Sequence, residues 1–184
     1  MDGLSGNDDI DSKVRRITPT NGGEGHFVAL FKKKGESIGY FDEFKESIAP
    51  QNKKIVTEFL SENFLEIPKG VFYEKNNLIY LVPQIAPQIK GDILRYGLLV
   101  GEMRKNRLEP AHALFTAAGV KPKRSLNLAL DDERLYSFLK GQEITVDGEN
   151  GYTLVLANGV PLGFGKCSGT RLTNRYPKGL RILN

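Results

Sequence analysis

The apolar positions of this chain change period along its length. Phe27, Val28, Ala29, Leu30 and Phe31 form an unbroken apolar run closed by three lysines, the pattern of a buried strand leaving a sheet. The first forty residues offer it few neighbours, so it is expected to pair with much later strands or to be the end of a larger sheet. An extended piece, 13–22, precedes it, broken by Pro19 and Gly22-Gly23, and residues 1–12 read as an acidic, Gly-rich flexible leader. Ile55, Val56, Phe59, Leu60 and Phe64 then recur with a helical period. Together with Pro50 at a first-turn position they predict a helix over 51–63. A shorter helix is expected at 41–48. Residues 71–82 are two β-rich runs about Asn76-Asn77, which predicts a hairpin, and 83–91, with Pro83 and Pro87, reads as a connector.

From residue 92 the pattern is short strands, short helices and frequent glycines. A strand is expected over 93–105, turned at Lys105-Asn106. Pro110 opens a short helix through Ala118, and Asp131-Asp132 cap another that buries Leu135, Phe138 and Leu139. Strands follow at 143–146, 152–157 and 160–166, the last two joined by the hairpin turn Asn158-Gly159. The fold class is therefore α+β: a small helix-plus-hairpin unit, then a β-barrel or sandwich decorated with short helices.

Composition narrows this picture mainly by exclusion. With 184 residues, 40% hydrophobic, and no apolar run of membrane-spanning length, the chain reads as one or two folded domains in the cytoplasm, with no membrane partner. One cysteine, Cys167, excludes an internal disulfide and a cysteine-based zinc site, and no metal site is expected.

Charge adds direction. Residues 1–70 hold ten basic and twelve acidic side chains, whereas 71–184 hold sixteen and ten, so the positive field lies in the C-terminal part. Residues 160–184 contain Lys166, Arg171, Arg175, Lys178 and Arg181 with no acid, interleaved with Phe164 and Tyr176. Cations neutralise phosphate and flat rings stack on bases, so this stretch points to RNA; a merely solvated charged face is the competing reading.

Six segments in order carry a resemblance: Gly23-Glu-Gly-His-Phe-Val-Ala29, Gly97-Leu-Leu-Val-Gly-Glu102, Arg107-Leu-Glu-Pro-Ala-His-Ala-Leu114, Leu139-Lys-Gly-Gln-Glu143, Gly159-Val-Pro-Leu-Gly-Phe-Gly-Lys166 and Asn174-Arg-Tyr-Pro-Lys-Gly-Leu-Arg181. From Gly23 onward the chain resembles the C-terminal region of the Sun-type, RsmF-like rRNA 5-methylcytosine methyltransferases. That family often has Trp at the place of Phe164, a bulkier residue at Leu108 and His at Arg175. The resemblance implies three parts. Residues 1–35 hold the leader and the last strand of a mostly absent Rossmann-like catalytic domain, 36–91 a small intermediate region, and 92–184 a PUA-like RNA-binding domain.

The family's chemistry needs paired cysteines and S-adenosylmethionine, both placed upstream of the Gly-Glu-Gly-His-Phe strand. The chain by itself is therefore expected to be non-catalytic and to bind no cofactor, S-adenosylmethionine belonging to the missing domain. Cys167 has no neighbouring base in sequence and reads as inert; His26 and His112 read as structural. Asp131-Asp132-Glu133 is explained by its place at a helix start. The expected RNA contacts are Arg104, Lys105, Arg107, Lys166, Arg171, Arg175, Tyr176, Lys178 and Arg181, with Phe164 as a further flat face. Expected partners are rRNA or the small ribosomal subunit, with the catalytic domain in cis and no DNA. The alternative is a protein-interaction module whose basic face meets an acidic or ribosomal protein; no constellation supports an enzyme in its own right.

Overall fold

The computed structural model describes residues 13–17, 20, 26–29, 35, 41–87 and 97–182, which fall in two compact units, 1–39 and 40–184. In the first unit, β1 (Val14–Ile17) pairs antiparallel with β2 (His26–Ala29), from Val14↔Ala29 to Ile17↔His26. This corrects the expectation of a buried strand. The partner lies within the first forty residues, and Phe27 and Val28 are 59% and 54% exposed, because a two-stranded ribbon cannot cover both of its own faces. The leader at 1–12, Leu30, Phe31 and the side chain of His26 lie outside the described residues.

The described residues of the second unit are mostly strands, with three α-helices, an α+β composition. Helix α1 (Pro50–Asn63) starts with Pro50 inside its first turn and buries Val56, Leu60 and Asn63. The helix expected at 41–48 is instead strand β3 (Phe41–Glu43), paired with β7 (Ile85–Pro87), followed by an extended stretch. Its backbone amides are taken by the neighbouring chain rather than by a helical turn. Phe44 N–H donates to the Gln84 carbonyl at 2.7 Å and Ser47 N–H to that of Phe72 at 2.9 Å.

The predicted hairpin forms as β5 (Val71–Lys75) and β6 (Leu78–Val82), with Asn76 and Asn77 at φ 52° and 63°. β8 (Leu98–Arg104) then pairs with β6, and β9 (Arg107–Pro110) with β8, giving one sheet of order β5-β6-β8-β9. This sheet runs through the sequence expected to separate an intermediate region from a second domain at residue 92; residues 93–96 of the expected strand lie outside the described set. Pro110 closes β9, and the short helix α2 (His112–Thr116) follows it.

A five-stranded mixed sheet makes the C-terminal part. Its members are β11 (Ser125–Leu128), β12 (Ile144–Thr145), β13 (Gly151–Ala157), β14 (Val160–Ser168) and β15 (Arg171–Asn174), in the order β11-β13-β14-β15-β12. The β13-β14 hairpin turns at Asn158-Gly159 as expected, with φ of 46° and 83°, whereas β11 lies parallel to β13 and was not foreseen. Helix α3 (Glu133–Leu139) is capped by Asp132, whose carboxylate accepts the Arg134 N–H at 2.9 Å. Hydrogen bonding from the Arg134 side chain, more than any other factor, holds the Asp132 carboxyl below its ordinary range.

No seam separates the two sheets. Val56, Leu60 and Phe64, Ile79, Val100 and Leu108, and Phe115, Leu154 and Phe164 belong to one buried cluster reaching from α1 through the four-stranded sheet to β14. Arg124 ties the same parts together, donating to the Asn63 Oδ1 at 2.6 Å and to the Tyr152 carbonyl at 3.3 Å. A pairing of β4 (Phe64–Glu66) with β10 (Lys121–Pro122) adds a third link. The second buried cluster, under α3, contains Phe138, Val155, Cys167 and Leu172.

Candidate nucleic-acid interface

The antiparallel pair β8-β9 sets Arg104 directly opposite Arg107, and Glu102 opposite Glu109 two positions inward. Two cations facing each other need an anion nearby, and both find one. Arg104 lies 3.0 Å from Glu102 and 4.0 Å from Glu109, and Arg107 lies 2.8 Å from Glu109. With Arg104 and Arg107 58% and 74% exposed, each pair is worth at most about 1 kcal/mol, so phosphate can compete for both guanidinium groups. Lys105, in the turn at φ 55°, is exposed and has no carboxylate partner among the described residues.

On β14, Phe164 and Lys166 share one face, Phe164 buried in the larger cluster and Lys166 exposed, while Cys167 lies on the other face in the second cluster. Lys166 sits opposite Tyr152, its ammonium 5.6 Å from the ring centroid, a cation–π arrangement. Arg175 follows β15; its backbone N–H donates to the Phe164 carbonyl at 3.1 Å while its side chain is exposed. Lys178 opens a single 3-10 turn, Lys178–Leu180, and is exposed. Lys166, Arg175 and Lys178 have no carboxylate partner among the described residues. Arg171, at the far end of β15, is paired with Glu143 at 3.5 Å.

Three expected contacts turn at least partly inward. The Tyr176 ring is half-buried and packs against Phe138 at 5.5 Å and His112 at 5.9 Å. Phe164 is 3% exposed and stacks on Phe115 with centroids 4.2 Å apart and planes 11° from parallel. The Arg181 guanidinium lies over Gly141, at φ 82°, against a backbone where any Cβ would collide with it. It donates to the Tyr176 carbonyl at 3.3 Å, and Ile182 N–H next to it donates to the Leu139 carbonyl at 3.2 Å. Arg181 therefore fastens the C-terminal tail beneath α3.

Of the expected residues, Arg107, Lys166 and Arg175, together with the buried Phe164, meet in one cleft of about 570 Å³. Helix α1 supplies Glu58, Phe59 and Glu62, β9 supplies Glu109 and Pro110, and the β13-β14 hairpin supplies Tyr152. His112 also borders the cleft, held by a 2.7 Å hydrogen bond between its Nε2 and the Leu162 carbonyl, in keeping with a structural histidine. Sequence reading missed Glu58, Phe59, Glu62 and Tyr152. Cys167 is 2% exposed with Sγ 3.4 Å from the Gly169 carbonyl, the setting of an inert thiol. Among the described residues no group of three or more His, Cys, Asp or Glu could hold a metal ion, and no helix is long and apolar enough to cross a membrane.

Comparison with known proteins gives two consecutive family matches. Residues 58–118 match the RsmF rRNA methyltransferase first C-terminal domain, and residues 125–182 match the methyltransferase RsmF PUA domain. The ribosomal RNA small subunit methyltransferase F of Aeromonas salmonicida (strain A449) is 28% identical over 170 residues, covering 85% of this chain and 35% of its own length. The protein of that name from Shewanella sp. (strain MR-4) is 26% identical over 147 residues, covering 74% and 31%. In Vibrio atlanticus (strain LGP32) the figures are 23% over 171 residues, 85% and 36%. The chain spans about a third of the length of these curated relatives.

Proposed function

Since the chain belongs to the RsmF rRNA methyltransferase family, through two of its domains in series, we propose that it is the RNA-docking part of an rRNA cytosine-C5 methyltransferase. It would hold rRNA, or the small ribosomal subunit, for a catalytic domain in cis, in the cytoplasm. The observation that carries this reading is the set of exposed cations without carboxylate partners, Lys166, Arg175 and Lys178, all within the residues matched by the PUA domain, with Lys105 as a fourth. Arg104, Arg107 and Arg171 join them by exchanging a surface carboxylate for phosphate. In this reading the cations of the docking face lie within residues 98–182, and α1 borders it at the cleft.

Methyl transfer is assigned to other parts of the family's proteins. S-adenosylmethionine would supply the methyl group there, and the residues described here do not fit it. Their one thiol is buried against backbone carbonyls, and no strand, glycine-rich loop and helix follow one another among them. No catalytic step is derived through this chain.

A salt titration of a labelled rRNA stem-loop, followed by fluorescence anisotropy, tests the reading. The four unpaired cations alone give log affinity falling against log salt with a slope of about −3, and each arginine that exchanges its carboxylate for phosphate steepens it by about 0.7. A slope near zero, with no binding at low salt, refutes RNA docking. Binding to ribosomal particles that survives ribonuclease treatment would assign the basic face to a protein partner instead.

A further inference from the structure

The cleft between α1 and the β13-β14 hairpin has an unusual distribution of charge. Its α1 residues are acidic, Glu58 and Glu62, those of β14 and the segment after β15 are basic, Lys166 and Arg175, and β9 adds the Arg107–Glu109 pair. Yet no ion pair joins the α1 acids to Lys166 or Arg175. Glu58 is taken by Lys54 at 3.9 Å, while Glu62, Lys166 and Arg175 have no ionic partner among the described residues. Opposite charges lining one opening without pairing directly leave room for a ligand that is itself dipolar. Half-buried rings, Phe59 and Tyr152, with centroids 5.3 Å apart, lie between them.

A simple polyanion is a poor match, because Glu58 and Glu62 would repel it. An acidic peptide meets the same wall, and a basic one meets Lys166 and Arg175. A nucleotide satisfies both sides: its phosphate is anionic, its base presents amino donors, and its faces stack on aromatic rings. The cleft volume, about 570 Å³, lies within the range that encloses a ligand of that size. A paired base has its amino group already bonded and its faces already stacked, so the occupant must be unpaired.

We infer that this cleft captures a single unpaired RNA nucleotide whose base carries an exocyclic amino group. Lys166 and Arg175 hold its phosphate, and the Glu62 carboxylate accepts from its amino group. Uracil is disfavoured, because it turns a carbonyl oxygen toward that carboxylate, acceptor against acceptor. The site is composite: α1 and β9, from the first matched domain, form one side, and the PUA domain forms the other. This inference rests on the RNA-docking reading and adds which part of an RNA the protein selects.

The test uses the whole chain and three labelled stem-loops differing only at one site: fully paired, with one bulged cytidine, and with one bulged uridine. The expected order is bulged cytidine tighter than fully paired RNA by about tenfold, from one stacked base and its phosphate, with bulged uridine several-fold weaker than bulged cytidine. Glu62→Gln, at an exposed helix position, should remove most of the preference for cytidine over uridine, read as the ratio of the two affinities, while leaving the melting temperature unchanged. Lys166→Ala should weaken the bulged cytidine complex by several-fold more than the paired one. Equal affinity for all three RNAs with the salt slope intact overturns the cleft assignment and leaves RNA docking standing. A cytidine preference unaffected by either substitution overturns it too. Absence of salt-dependent binding to any of the three overturns the docking reading, and the inference with it.

Discussion

Replacing Phe164 by alanine separates a core ring from an RNA-stacking ring. Phe164 is 3% exposed, lies face to face with Phe115 at 4.2 Å, and has Tyr152 at 5.9 Å. A buried aromatic side chain of about 200 Å² at about 25 cal/mol per Å² stabilises the fold by about 5 kcal/mol. Partial relaxation of the hole and the retained Cβ bring the expected cost of Phe164→Ala to about 3–5 kcal/mol. That is a large share of the 5–15 kcal/mol that folds a typical domain. For a unit of this size the melting temperature should drop by about 9–15 °C, read by circular dichroism. Measured well below the new transition, the salt slope of RNA binding should be unchanged, because the buried ring carries no charge. If the melting temperature moves by less than about 2 °C while RNA affinity falls, the ring is a surface group and the placement of the shared core is wrong.

Lys178 and Arg181 should part company although they lie three residues apart. Lys178→Ala should leave the melting temperature within about 1 °C and lower the salt slope by about 0.7, whereas Arg181→Ala should lose about 1–2 kcal/mol in urea unfolding as the tail loosens over Gly141. Acid stability should depend on Asp132. Its carboxyl is lowered in the folded chain, so its stabilisation is complete above the ordinary carboxylate range and is lost as pH falls through the lowered value. Between about pH 4 and pH 2 the melting temperature of Asp132→Asn should therefore fall less steeply than that of the unaltered chain, since asparagine keeps the cap without the titration.

What the sequence made legible was local. The 3.6 period of Val56, Leu60 and their neighbours marked α1, and Asn76-Asn77 and Asn158-Gly159 marked turns whose positive φ few other residues accept. What it hid was decided between elements. Residues 41–48 look helical taken alone, and only the amide bonds to Gln84 and Phe72 make them extended. The β13-β14 hairpin shows the difficulty most clearly. A bulge between Val155 and Leu156 shifts its register by one, which places Tyr152 opposite Lys166 rather than Gly165, and no turn chemistry reveals that slip. The basic stretch was found correctly as a run of charge. Its division into outward Lys166, Arg175 and Lys178 and inward Tyr176 and Arg181 needed the packing of α3 against the tail.

Finally, the core that passes unbroken from α1 to β14 sets how the cleft behaves in time. Its acidic and basic walls belong to elements that share Leu108, Phe115 and Phe164, so they cannot swing apart without baring those side chains to water. An arriving chain end or loop meets an opening already at its final width, loses no free energy to closing it, and is accepted or rejected by the shape and hydrogen bonding it finds there. Selectivity built in this way appears in how long a complex lasts rather than in how fast it forms: correct and incorrect RNAs should arrive at similar rates and depart at different ones.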